Sequence, residues 1–169
     1  MKELASFMPA LSRVQMLVLD VDGVLTDGRL YYGARGESLK VFHVRDGHGI
    51  KEVAAAGITV AIISGRKSAA LARRARELGI RHVIQGATDK LASLTKLTKA
   101  RSLSFDQCAC VGDDTPDAPV LRVAGVAIAV ADGHRDALAV ADLVTSRPGG
   151  SGAVREVCDW LLDARRRRA

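Results

Sequence analysis

The chain has 169 residues, 48% of them hydrophobic and 26% charged, with a net charge of +6. That length suits one ordinary domain with a normal globular balance. Aromatics make up only 4%, which argues against a stacking platform for single-stranded nucleic acid, and no segment approaches the roughly 20 apolar residues of a membrane-spanning helix.

In chain order, the opening Met1-Lys2-Glu3-Leu4-Ala5-Ser6 has no long apolar run, so no signal peptide is expected and the cytoplasm is the expected compartment. Short β-branched or apolar runs then alternate with helical patterns. Strands are expected at 16–20, 58–63, 82–84, 108–111, 126–130 and 143–144. Helices are expected between them at 49–56, 67–78, 90–99, 118–123 and 135–140, with a final helix at 152–164. Gly57 and Gly79 stand where helix C-terminal glycines belong. The alternation predicts an α/β fold with a doubly wound parallel sheet, as one domain over 1–169. One region interrupts it: 29–33 and 38–42 flank Ala34-Arg35-Gly36-Glu37, the pattern of an inserted β-hairpin.

Cys108 and Cys110 alternate in one apolar run, and Cys158 lies far away in an amphipathic segment. This is neither a CxxC site nor a disulfide framework, so all three read as small core residues in a reducing compartment. The run Arg165-Arg166-Arg167-Arg168 reads as a solvated helix end, where the helix dipole favours positive charge. A nucleic-acid contact is the less favoured reading of it.

Ligands of open parallel sheets bind beyond the carboxyl ends of the strands, and the chemically informative residues gather there on four segments. The first is Asp20-Val21-Asp22-Gly23-Val24-Leu25-Thr26, directly after an apolar run. Carboxylates two apart in extended backbone face the same way, and hard oxygen ligands suit Mg²⁺. One carboxylate can attack phosphorus, and a second can act as acid and then base. The second segment is Ser64-Gly65-Arg66, a hydroxyl followed by a helix start that offers N–H donors to a phosphoryl group. The third is Asp89-Lys90, where a lysine opens a helix against the dipole and a bound phosphate would explain it. The fourth is Gly112-Asp113-Asp114-Thr115-Pro116-Asp117, with Asp113 as the expected direct metal ligand. Asp114 and Asp117 could act through water or orient Lys90. Taken singly, each segment also fits a cap, a turn or an acidic loop; four of them in this order on one sheet edge fit a site.

Together these segments resemble the four motifs of the haloacid dehalogenase (HAD) superfamily of aspartyl-phosphate phosphatases. With the 42–50 segment (FHVRDGHGI), 57–66 and the 149–158 segment (GGSGAVREVC), the likeness extends to the branch acting on 3-deoxy-D-manno-octulosonate 8-phosphate (KDO 8-phosphate). It covers nearly the whole chain, from about Gln15 to Leu162. The resemblance implies a capless, Mg²⁺-binding homotetramer and a Rossmann-like core. It implies Asp20 as nucleophile and metal ligand, and Asp22 as general acid/base that binds metal through its backbone carbonyl. Ser64 and Lys90 would hold the phosphoryl group, and Asp113 would complete the metal ligands. Gly65, Arg66 and Arg45-Asp46-Gly47 match positions near the substrate. The chain has no room for a cap domain between Asp22 and Ser64 or between Ser64 and Lys90. A neighbouring subunit is therefore expected to act as lid through the 29–42 hairpin and the Gly149–Gly152 tail, with residues after Pro148 dispensable for folding. The expected substrate is KDO 8-phosphate, with a nine-carbon sugar acid 9-phosphate of the KDN or N-acylneuraminate type as the alternative. A receiver domain is disfavoured, because there the adjacent acids follow the first strand and the phosphorylated Asp comes later.

Overall fold

The structure is a computed structural model and describes residues 4–167. In chain order its elements are α1 (Leu4–Leu11), β1 (Met16–Leu19), β2 (Tyr31–Gly33), β3 (Gly36–Leu39), α2 (Val44–Ala55), β4 (Thr59–Ser64), α3 (Ala69–Leu78) and β5 (His82–Gln85). Then come α4 (Lys90–Ala100), β6 (Cys108–Gly112), α5 (Ala118–Val123), β7 (Val126–Ala129), α6 (Arg135–Leu138), β8 (Leu143–Val144) and α7 (Ala153–Arg166). Arg168, the last arginine of the basic run, lies outside the described residues.

Six strands form one parallel sheet in the order β5-β4-β1-β6-β7-β8. Every residue of β1, β6 and β7 is buried, as expected when both sheet faces are covered and strands read as continuous apolar runs. Leu17, Leu19, Val111 and Ile128 share one core layer with Ile50, Val53, Val154, Val157 and Leu161. Met16, Val18, Cys108 and Cys110 share the other with Leu94, Val120 and Leu121. The connections run outward in both directions from β1, so a crevice opens at its C-terminal end, between β4 and β6.

The sheet, the hairpin and the six helices after it match the expected elements within a few residues, with three instructive departures. Helix α1 was not anticipated. Helix α2 begins at Val44 and not near 49, with the His43 side chain capping it by accepting from Arg45 N, so that Gly47 and Gly49 lie inside it. A Cβ placed on Gly49 would come within 3.0 Å of the Cys158 Cβ and 3.1 Å of the Arg155 Cδ, so glycine lets α2 and α7 pack closely. The hairpin turns at Ala34-Arg35, and Gly36 and Glu37 belong to its second strand.

The C-terminal segment is structural, contrary to the expectation that it is dispensable. Ala153, Val154, Val157, Cys158, Leu161 and Ala164 of α7 are buried. Arg165 of the basic run clamps two carbonyls, bonding Ala56 O and, at 3.2 Å, Val14 O. Gly149 and Gly150 lie directly against the backbone of Gly23 and Thr26 in the same chain. Truncation after Pro148 removes a wall of the core.

Gly49→Val should therefore destabilise the fold by about 1–3 kcal/mol through overpacking, measured by urea unfolding. At an exposed helical glycine, valine would instead gain roughly 0.3 kcal/mol in helix propensity, so a stabilised variant would contradict the close α2–α7 packing.

Candidate active site

The β1 strand delivers Asp20 to the crevice with its side chain only 8% exposed. Its backbone N–H donates to Val111 O at 3.1 Å, which carries the sheet ladder one residue past the strand. The chain then turns tightly at Gly23, whose φ is +98°. A side chain there would be both strained and driven into the Asp113 carboxylate. Thr26 secures the turn: its hydroxyl donates to Val21 O and accepts from the N–H groups of Gly23 and Gly28.

Lys90 begins α4, with Asp89 as its N-cap accepting from Ala92 N at 2.9 Å. Its Nζ donates to Asp20 Oδ1 at 2.7 Å and to Asp117 Oδ1 at 2.6 Å. Two carboxylates therefore offset the lysine's unfavourable place at a helix start. Burial works against the ammonium, but the Asp20 and Asp117 charges outweigh it and hold Lys90 above its usual pKa. The other oxygen of Asp117 accepts from the backbone N–H groups of Asp113 (3.1 Å) and Asp114 (3.3 Å), so Asp117 shapes the loop after β6 as well as orienting Lys90. Asp114 points away from this cluster. It is exposed, caps the following turn through Thr115 N at 2.7 Å, and lies 3.7 Å from His134.

Asp20, Asp113 and Asp117 bring ligand oxygens within 4.8 Å of one another. Burial, reinforced by the neighbouring Asp117 charge, pushes Asp20 up to about 6. Burial and the charges of Asp20 and Asp117 push Asp113 up to about 8. Asp113 Oδ1 is also buried without a hydrogen-bond partner. One ammonium is too little positive charge for three clustered carboxylates, and an orphaned hard oxygen completes a donor set suited to Mg²⁺. The residues present fit that ion.

Ser64 ends β4 with its side chain buried, and its Oγ accepts from Arg66 N at 3.2 Å. The loop is laced to the next one by Ala87 N to Ser64 O (3.0 Å) and Gly86 N to Arg66 O (3.2 Å), which sets Gly65 against Ala87. Arg66 reaches the hairpin: its Nη2 donates to the Tyr32 hydroxyl at 2.9 Å, and its Nε lies 3.9 Å from Asp22 Oδ2. Lys40, just past β3, bonds Asp22 Oδ1. Tyr32, Glu37 and Lys40 went unnoticed in the sequence, because only the docked hairpin brings them to the crevice.

Within the Arg45-Asp46-Gly47 stretch, Asp46 and Gly47 are committed to packing. Asp46 is buried and accepts from Arg155 N at 2.8 Å, capping α7 from a distance of 109 positions in sequence. Burial raises its pKa, partly offset by that bond. A Cβ on Gly47 would run into Arg74 and Leu78. Arg45 lines an open groove with Arg147, Arg155 and Trp160. The structure thus brings together Asp20, Asp22, Ser64, Gly65, Arg66, Lys90, Asp113 and Asp117, and gives Asp46 and Gly47 packing roles.

The sequence pattern of the haloacid dehalogenase-like hydrolase family matches residues 77–156. The 3-deoxy-D-manno-octulosonate 8-phosphate phosphatase of Escherichia coli (strain B / BL21-DE3) is 46% identical over 158 residues, covering 94% of this chain and 84% of that protein. A crystal structure of the Moraxella catarrhalis phosphatase of the same name, in complex with magnesium ion, phosphate ion and KDO, superposes with a TM-score of 0.94 at 43% identity. It covers 97% of this chain and 94% of that one. The cobalt-bound phosphatase of Haemophilus influenzae gives 0.90 at 43% identity, over 92% and 91% of the two chains.

The carboxylate crowding predicts a pH signature. Asp20 and Asp113 hold protons more tightly folded than unfolded, where each would sit near 3.8. That preference stabilises the metal-free fold below about pH 4 and is lost as pH rises through about 6 and about 8. In metal-free buffer, wild type should lose stability relative to Asp113→Asn between those limits, and Mg²⁺ should restore it at the upper end. Parallel melting curves across the range would show that the carboxylates are not crowded.

Proposed function

The chain belongs to the haloacid dehalogenase-like hydrolases, in the branch of the KDO 8-phosphate phosphatases, and from that membership and its carboxylate cluster we infer that it is a Mg²⁺-dependent phosphatase converting KDO 8-phosphate to KDO and phosphate. The observation that carries this reading is the meeting of Asp20, Lys90, Asp113 and Asp117 at one sheet edge.

Asp20 is the nucleophile. Lys90 holds one of its oxygens and fixes the carboxylate's orientation for in-line attack on phosphorus, giving an aspartyl-phosphate. Asp22 protonates the departing sugar oxygen and then takes a proton from the water that cleaves the acyl phosphate. Ser64 keeps a hydroxyl proton to donate, and with the Gly65 backbone and Lys90 it binds phosphoryl oxygens. Asp20, Asp113 and the Asp22 carbonyl would hold the Mg²⁺, which supplies positive charge to the phosphoryl group and the crowded carboxylates when bound. Asp117 supports the site by steering Lys90 and the Asp113 loop. Arg66, at the mouth, is the residue best placed to meet the substrate's sugar acid.

Residues 1–169 act as one hydrolase domain without a cap. The working form is a homotetramer in which a neighbouring hairpin shields the site from water. Support comes from Leu30, Tyr32, Leu39, Val41 and Val44, large apolar side chains left exposed on the hairpin and at the start of α2. The Gly149–Gly150 part of the expected lid instead packs on its own chain. A cytoplasmic location fits three buried free cysteines, and among the described residues no helix is long and apolar enough to cross a membrane.

Asp20→Asn should lower turnover by at least roughly three orders of magnitude, and EDTA should abolish activity until Mg²⁺ is added back. Across a panel of sugar acid phosphates, kcat/KM should be highest for KDO 8-phosphate; a preference for a nine-carbon 9-phosphate would reassign the substrate. Val44→Asp, which places a charge on the exposed apolar face, should shift the sedimentation coefficient toward smaller species and reduce kcat/KM. An unchanged assembly would remove this face from the interface.

A further inference from the structure

The hairpin carries a feature that the phosphatase reading does not use. Lys40 follows β3 and is a lysine almost entirely withdrawn from water, with its side chain 3% exposed. A buried ammonium is costly unless it is paired. Lys40 is paired on two sides, with Asp22 Oδ1 and with Glu37 Oε2 at 3.2 Å. Glu37 is itself anchored by the Ser68 hydroxyl at the start of α3, and Arg66 lies 3.8 Å away. Burial alone would raise the Glu37 pKa, but the bonds from Ser68 and Lys40 and the nearby cations hold it below its usual value.

The result is a chain of contacts, Asp22–Lys40–Glu37–Ser68, running from the turn after β1 through the hairpin to α3. Its outer end is Asp22, whose other oxygen lies 3.9 Å from Arg66 Nε and whose side chain is 18% exposed, so within reach of a departing oxygen. Lys40 is too deeply placed to meet substrate. A carboxylate on a short side chain can otherwise rotate, and general acid catalysis depends on holding the proton in line with the leaving atom.

We propose that Lys40 is a positioning residue for Asp22: it fixes the orientation of the acid/base carboxylate, and the hairpin is the element that holds it there. The inference rests on Asp22 acting as the general acid of the phosphatase reading. It assigns the hairpin a task within its own chain, separate from shielding a neighbour.

The test exploits leaving groups. A sugar alkoxide needs a proton as it departs, whereas p-nitrophenolate leaves without one. The ratio kcat/KM reports the steps through loss of the leaving group, so hydrolysis of the aspartyl-phosphate does not enter it. Lys40→Met should lower kcat/KM for KDO 8-phosphate by roughly tenfold or more, a fraction of the 10²–10⁴ that general acid catalysis supplies. The same preparation should keep its kcat/KM for p-nitrophenyl phosphate within about twofold, because the acid's contribution is absent there. Because both substrates are assayed on one preparation, their ratio is independent of how much of it is folded. Lys40→Arg should recover part of the loss. In an Asp22→Asn background, Lys40→Met should cost nothing further on KDO 8-phosphate, since a residue acting through Asp22 has nothing left to orient.

Equal losses on both substrates, a gain on the sugar phosphate, or an additive loss in the Asp22→Asn background would each overturn the proposal. Failure of the phosphatase reading itself looks different: wild type would then not hydrolyse KDO 8-phosphate, or Asp22→Asn alone would affect both substrates alike.

Discussion

Lys90 places a single ammonium between carboxylates that arrive on two different strands, at 2.7 Å from Asp20 and 2.6 Å from Asp117. Each of the three groups is poorly placed alone. The lysine opens a helix against its dipole, Asp20 is buried where ionisation is opposed, and Asp117 is buried beside it. Together they are mutually satisfied, and Asp113 remains as an excess of negative charge with a buried oxygen that finds no donor. The metal requirement follows from this imbalance. Lys90 satisfies two of the carboxylates, and a bound Mg²⁺ would supply the positive charge that Asp113 lacks.

The sheet makes this meeting possible. Because β1 is flanked by β4 on one side and β6 on the other, loops that are remote in sequence open onto the same crevice. Tight backbone contacts then fix their depth. Gly23 gives way to Asp113, and Ser64 O and Arg66 O are tied to the loop ahead of α4. The hairpin adds a third layer of control, since its polar side chains reach Asp22 and Arg66 while its apolar ones face outward.

Much of this was legible from residue order. Asp20, Asp22, Ser64, Lys90 and Asp113 each follow an apolar run or open a helix, so strand ends could be placed and the carboxylates assigned to one edge. Asp114 and Asp117 could not be told apart, because both sit in an acidic stretch; the turn geometry decides it by sending Asp114 outward to cap and Asp117 inward to Lys90. Gly47 and Gly49 were not legible as contact points. Glycine lowers helix propensity, and only the proximity of α3 and α7 shows that it was required for approach. Asp46 and Lys40 were illegible in the same way. Their partners lie in distant segments or across a hairpin, and no local pattern encodes such pairings.

The seating of Gly149 and Gly150 on the backbone of Gly23 and Thr26 also ties the first strand's turn to a far part of the chain. The turn after Asp20 is completed by residues remote in sequence, and α7, which follows them, is buried in the same core layer. Contacts of such high sequence separation cost loop-closure entropy before they are repaid. The catalytic-edge turn is thus a non-local structure, dependent on chain regions that no short fragment contains.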